Sequence, residues 1–219
     1  MSKLTLIIGN KNYSSWSLRP WIFMRQAKIE FAEKRIALFT ETTDEELSPY
    51  FSDSKVPILL DDDYVVWDTL AILEYVSENY MEGKGWPSDS KARAMARSVS
   101  AEMHSSFNSL RNALPMNCRK KFTNYKLSAE TQRDIERVKD IWRKCRTVYG
   151  SQGDWLFGEY SIADAMYAPV VLRLVGYDVP LSGVEKSYVQ TVLSDPGIVE
   201  WIAAGKEETE VIAEDEVEV

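Results

Sequence analysis

The sequence predicts an α/β layer followed by an all-α helical half. Three observations carry this. Strand and helix signals alternate up to about residue 82, and they give way to helical periodicity alone after the breaker Gly83-Lys84-Gly85-Trp86-Pro87. Between them, residues 55–80 join a proline at a strand start, a hairpin and a capped helix. At 219 residues, 45% of them hydrophobic, the chain can bury a sizeable core as one large or two small domains.

The elements follow in order. Leu4 to Ile8 is a short β run closed by Gly9-Asn10. Residues 17–28 read as a helix with Pro20 tolerated in its first turn. Phe31 to Leu38 reads as a second strand, followed by a polar stretch around Ser48-Pro49. Pro57 has no N–H to give, so it stands at a strand start or a sheet edge. Ile58-Leu59-Leu60, the turn Asp61-Asp62-Asp63 and the β-branched and aromatic Tyr64-Val65-Val66-Trp67 make a hairpin. Asp68 then N-caps a helix with Ile72, Leu73, Val76 and Tyr80 on one face.

Beyond the breaker, residues 89–114, 128–149, 161–176 and 195–204 read as helices. In the first, Val99, Met103, Phe107, Leu110 and Leu114 form an apolar stripe, while Arg97, Ser100, His104, Asn108 and Arg111 line another face. Ser161 and Asp164, three apart before the apolar run Ala165 to Val171, form the aspartate variant of a capping box, a folding device. The tail, residues 207–219, is strongly acidic and is expected to fray as a solubilising end.

Composition narrows the function classes. A net charge of −8 weighs against a nucleic-acid partner. No apolar run approaches the roughly 18 residues of a membrane span. The start MSKLTLIIGN lacks a secretory pattern, so a cytoplasmic location is expected. Two cysteines, Cys118 and Cys145, are too few for a disulfide framework, and with the single His104 they make no zinc spacing, so no metal is expected. Phosphate loops of the GxxxxGK type and a GxSxG elbow are absent.

Two segments carry chemistry. The helix head at Asp68-Thr69 offers unpaired N–H groups and about half a positive charge, which suits a carboxylate. The strand start at Val56-Pro57 offers backbone groups to an extended peptide. Together they suit a small anionic peptide. Ser14-Ser15-Trp16-Ser17-Leu18-Arg19 lies where the first strand gives way to a helix, a place rich in hydroxyls and free N–H groups.

These segments resemble the glutathione transferase superfamily, and the resemblance runs over most of the chain. It implies a thioredoxin-like glutathione-binding domain at residues 1–82, an all-helical domain at 88–206 lining an electrophile pocket, and the acidic tail beyond. It further implies a cis bond at Pro57 and a Val56 backbone paired with the cysteinyl unit of glutathione. Asp68 and Thr69 would hold the γ-glutamyl end, and Lys55 the glycyl carboxylate.

The Ser-Ser-x-Ser-x-Arg stretch resembles bacterial-type cytosolic members of the serine-type classes, particularly the zeta class, which includes maleylacetoacetate isomerases. Ser14 falls on the serine that holds the thiolate there, with Ser15 as second choice and Arg19 at the domain interface. His104 and Arg111 would contact the electrophile. A thiol of pKa about 8.5 is only about 3% ionised at pH 7, and lowering it by about two units asks for roughly 2.7 kcal/mol. One or two hydrogen bonds to the anion, at about 1.5–3 kcal/mol each, supply that.

The resemblance also implies a detoxifying homodimer with glutathione as cosubstrate. Trp16 stands where the zeta motif has cysteine, which counts against isomerase chemistry. Asp68-Thr69 replaces the usual Glu or Gln with Ser. Tyr13 is an alternative thiolate partner, as in tyrosine-type classes, though the serines that follow weigh against it, and the absence of a cysteine near residue 14 argues against a glutaredoxin or a cysteine-type thiol transferase. Glutathione-dependent isomerisation or reduction, and a non-catalytic interaction module of the same fold, stand as alternatives.

Overall fold

The computed structural model describes residues 4–217. Strand β1 (Leu4–Ile8) alternates as a central strand must: Leu4, Leu6 and Ile8 enter the main core, while Ile7 enters a smaller one. Helix α1 (Ser15–Gln26) crosses over to β2 (Ala32–Arg35), which pairs parallel with β1. The predicted hairpin is present as β3 (Ile58–Asp61) and β4 (Tyr64–Trp67), antiparallel with Leu59 opposite Val66. Asp62, in the turn, takes φ +50°, which a short aspartate tolerates. The sheet order is β2-β1-β3-β4. Helices α1 and α3 (Thr69–Tyr80) cover one face, and Leu47 of the short α2 (Thr43–Leu47) seals the other against Ile7, Ile36 and Ile58.

The second strand is shorter than the predicted 31–38. Its Ala-Glu-Lys-Arg side chains are all exposed, and such charges protect a sheet edge from unwanted pairing. Helix α1 begins two residues earlier than predicted, so Pro20 lies beyond the first turn. Proline withholds the N–H that would bond the Trp16 carbonyl four residues back. Thr69 Oγ1 donates to that carbonyl at 3.0 Å instead, tying the head of α3 to α1.

The remainder is helical: α4 (Ser90–Ser105), α5 (Asn108–Ala113), α6 (Ala129–Tyr149), α7 (Ile162–Gly176), α8 (Gly183–Leu193) and α9 (Pro196–Glu207). The predicted helix 89–114 is two. Phe107 takes a left-handed φ of +64° and drives its ring into the core, which ends α4. The carbonyls left open at that end are taken by Arg111, which donates to Met103 and, at 3.1 Å, to His104. A guanidinium is well suited to a helix C-terminus. Val99, Met103, Phe107, Leu110 and Leu114 are all buried, as the stripe predicts. The sequence reading missed α8, although Tyr188, Val189 and Val192 bury one face at helical spacing.

The central α7 is buried almost all round and opens with the predicted capping box. The Asp164 carboxylate accepts from the Ser161 amide at 2.9 Å, the Ser161 hydroxyl at 3.1 Å and the Leu156 amide at 3.0 Å. Burial pushes its pKa up to about 6, and the bonds from Leu156 and Ser161 restrain the rise.

The tail departs from expectation: as far as residue 217 it packs rather than frays. Glu208 accepts from the amides of Lys11 at 2.7 Å and Asn12 at 3.0 Å. Arg119 donates to the carbonyls of Glu208 at 2.6 Å and Glu210 at 2.8 Å. Ile212 is 3% exposed. Glu216 accepts from the Tyr13 hydroxyl at 2.5 Å and from Asn117 at 3.1 Å. Composition marked these acids as solvent-facing, but they satisfy amides and cations of the fold. Among the described residues, no helix is long and apolar enough to cross a membrane.

Candidate active site

The loop after β1 is built by Asn10, whose carbonyl accepts from the amides of Tyr13 at 3.1 Å and Ser14 at 2.7 Å. This brings Ser14 to the N-cap of α1. Its hydroxyl donates to Ser17 Oγ at 2.8 Å, which also receives the Gly9 amide at 3.1 Å. Ser14 Oγ accepts a long 3.4 Å bond from the Ser17 amide. Ser15, the next residue, accepts from the buried guanidinium of Arg173 at 3.0 Å, so its own proton stays available to a ligand. Both serines are nearly buried yet line a cavity. The Tyr13 hydroxyl is engaged elsewhere: it donates to Glu216 and accepts from Arg119. Burial first, and then Glu216, raise its pKa.

The opposite wall comes from β3 and α3. The Val56–Pro57 bond is cis, as the family resemblance implies. Val56 precedes the first ladder pair, Ile58 with Trp67, so its backbone lies outside the sheet ladder. Asp68 takes φ +74°, an unusual value for a residue other than glycine, while capping α3 through Leu70 at 2.9 Å and Ala71 at 3.3 Å. Its other oxygen faces His104 Nε2 at 3.3 Å. Thr69 is buried, its hydroxyl proton given to the Trp16 carbonyl while its oxygen can still accept. Lys55 is solvated and paired with the exposed Asp53.

Two adjoining cavities, about 600 and 440 Å³, share Trp16, Lys55 and Val56 as a common wall. The larger holds Ser14 and Ser15; the smaller holds Pro57, Asp68, Thr69 and His104. The structure thus brings together Ser14, Ser15, Lys55, Val56, Asp68 and Thr69. It sets the other two predicted residues differently from each other. His104 lies at the Asp68 end, edge-on to Trp16 at 5.4 Å between ring centroids. Arg111 lies behind Trp16, its guanidinium 4.7 Å from the ring, and bonds the end of α4.

Two features escaped the sequence reading, Arg173 and the tail lining of the larger cavity. Arg173 of α7 reaches Ser15 while donating to the carbonyls of Arg111 at 3.1 Å and of Leu114. A charged residue in the apolar run of α7 was the available signal. Arg19, expected at the interface, is fully buried there: it donates to Met166 of α7 at 3.0 Å and stacks 4.3 Å from the Trp16 ring. Its pKa is lowered by burial and then by Arg111 and Arg173. Ile212 and Asp215 of the tail line the larger cavity. The tail's composition gave no sign of that. Three guanidinium groups behind Ser14-Ser15-Trp16 create a positive field, and an anion held at the α1 head is favoured by it.

Comparison with known proteins agrees with this geometry. Residues 13–79 match the family model described as glutathione S-transferase, N-terminal domain. A dichloromethane dehalogenase of Methylophilus leisingeri is 35% identical over 66 residues, 29% of this chain and 25% of that protein. A probable maleylacetoacetate isomerase of Caenorhabditis elegans is 30% identical over 99 residues, 45% of this chain and 46% of that protein. The chain thus spans less than half the length of either relative.

Among solved structures, a glutathione transferase homolog from Burkholderia gl BGR1 with bound glutathione superposes with a TM-score of 0.68 at 20% identity, covering 94% of this chain and 100% of that one. A glutathione S-transferase from the Antarctic clam Laternula elliptica superposes with a TM-score of 0.73 at 19% identity, covering 94% and 95%. The chain therefore has the fold of the glutathione transferases, a thioredoxin-like layer followed by helices, and its residues 13–79 match the N-terminal domain of that family.

Proposed function

We propose that the chain is a serine-type, zeta-like glutathione transferase of the cytosolic bacterial kind, which joins the glutathione thiolate to a small electrophile in a detoxifying role. The observation that carries this reading is the pair of adjoining cavities around Trp16. One has the hydroxyls of the α1 head, and the other has cis Val56–Pro57 and the α3 head. In this reading the Val56 backbone pairs with the cysteinyl unit, Asp68 and Thr69 hold the γ-glutamyl end, and Lys55 meets the glycyl carboxylate. Ser14 donates to the thiolate, with Ser15 beside it. The engagement of the Tyr13 hydroxyl by Glu216 and Arg119 supports serine over tyrosine. His104 and Arg111 serve through Asp68 and Trp16 rather than by touching the electrophile. No metal takes part in this reading.

Displacement of a halide suits the likeness to the dichloromethane dehalogenase. Glutathione-dependent isomerisation is the second reading, supported by the likeness to the probable maleylacetoacetate isomerase and opposed by Trp16. Titration calorimetry with glutathione, joined to an ultraviolet titration of the bound thiol, tests the proposal. The expected result is binding in the micromolar to millimolar range with a thiol pKa well below about 8.5. No binding at millimolar glutathione sinks it in favour of an interaction module.

The proposal includes a homodimer. Phe51, Tyr64 and Trp67 expose 88%, 62% and 46% of their surfaces, with Phe51 edge-on to Trp67. Exposed aromatics of this size commonly mark an interface. Sedimentation velocity is expected to give a dimer of the 25.1 kDa chain and a shift towards monomer for Phe51→Asp. A monomeric wild type refutes the homodimer.

A further inference from the structure

The packed tail brings a charge to the larger cavity. Glu208 holds one end of the strap on the Lys11 and Asn12 amides, and Glu216 holds the other on Tyr13 and Asn117. Between these anchors, the 3-10 turn Ala213–Asp215 sets Asp215 in the same cavity wall as Ser14, Ser15 and Arg173. Arg173 donates to Ser15 Oγ and to the carbonyls of Arg111 and Leu114, all uncharged acceptors. Its charge is unmet by any of them. Burial lowers the pKa of Arg173 and the Asp215 charge opposes that, while Arg173 in turn favours the Asp215 carboxylate against the cost of its burial.

We propose that Asp215 is a specificity-determining carboxylate of this cavity, balancing Arg173 and turning away anionic electrophiles in favour of neutral ones. The inference rests on reading the cavity as the electrophile pocket. Without glutathione its charged lining consists of two acids, Asp44 and Asp215, and two bases, Arg173 and the Lys55 that meets the glycyl carboxylate in the proposed reading. With Asp215 present, an incoming carboxylate meets a like charge beside a guanidinium whose donors already serve Ser15, Arg111 and Leu114, so the attraction it would otherwise feel is through-space. Neutralising Asp215 leaves that lining net positive.

The test uses the isosteric pair 4-chloro-3-nitrobenzoate and 4-chloro-3-nitrobenzamide, with Kd measured by calorimetry on the full chain without glutathione. Asp215→Asn is expected to move the ratio of the two Kd values about tenfold towards the benzoate, as befits one charge in a partly buried pocket. Asp215→Glu is expected to keep the wild-type ratio. An unchanged ratio in Asp215→Asn overturns the proposal, as does failure of both compounds to bind. Truncation after Thr209 removes the strap, and a shift seen there but not in Asp215→Asn assigns the strap a steric role and overturns the charge. Conjugation of both compounds with glutathione, assayed in parallel, reports on the transferase reading itself. Its absence beside a shifted ratio sinks that reading and leaves Asp215 in place.

Discussion

Ser14→Ala is expected to lower kcat/KM for conjugation by about 10- to 100-fold and to raise the pKa of the bound thiol by about one to two units. The argument starts from what the free thiol lacks. Glutathione alone is mostly protonated at neutral pH, and only the thiolate attacks. A hydroxyl bond to the anion contributes about 1.5–3 kcal/mol, which is one to two pKa units. Ser14 sits at the N-cap of α1, where the helix dipole favours the same negative charge. Its proton, resting on Ser17 Oγ at 2.8 Å, turns to the sulfur by rotation of one torsion, and Ser17 keeps its bond from the Gly9 amide. Stopped-flow rates against pH for wild type, Ser14→Ala and Ser15→Ala decide the matter. A shifted profile in Ser15→Ala with a wild-type profile in Ser14→Ala moves the role to the serine that Arg173 holds.

Asp164→Ala is expected to cost about 2–4 kcal/mol, because three buried donors lose their acceptor at once. For a chain of this length the melting temperature falls by about 2–4 °C per kcal/mol, so a drop near 10 °C is expected by calorimetry. A drop below about 2 °C contradicts the assignment of the capping box as an anchor of α7. The pH dependence has a definite sign. The folded pKa is raised by burial to about 6 from the ordinary 3.8, so the contribution of this group is fully present below the unfolded value and is lost as pH rises through about 6. The margin of wild type over Asp164→Asn, which cannot titrate, is therefore expected to be larger at about pH 5 than at about pH 7.

The sequence carried local signals better than remote ones. Pro57, the run of aspartates and the cap at Asp68 act within a few residues, and the structure has the hairpin and helix they predict, with Asp61 ending β3 and only Asp62 and Asp63 in the turn. The capping box at Ser161 and Asp164 is equally local. Phe107 was read as one more member of a helical stripe, and its burial was right. Its left-handed backbone was not visible, because the tertiary gain of burying the ring outweighs helix continuity. Arg173 lies 158 positions from the serine it touches, a pairing that no spacing rule connects. The acidic tail misled for the same reason. Its charges suggested water, while their partners, Lys11, Asn12, Tyr13 and Arg119, lie far away along the chain.

The bond from Thr69 to the carbonyl that Pro20 leaves open joins the heads of two helices. In the proposed reading one head receives the sulfur of the tripeptide and the other its γ-glutamyl end. The spacing between those two points is thus set by a bond from a side chain to the main chain before any ligand arrives. In that reading the pair of helices works as a gauge for peptide length, with the proline as the notch that sets it.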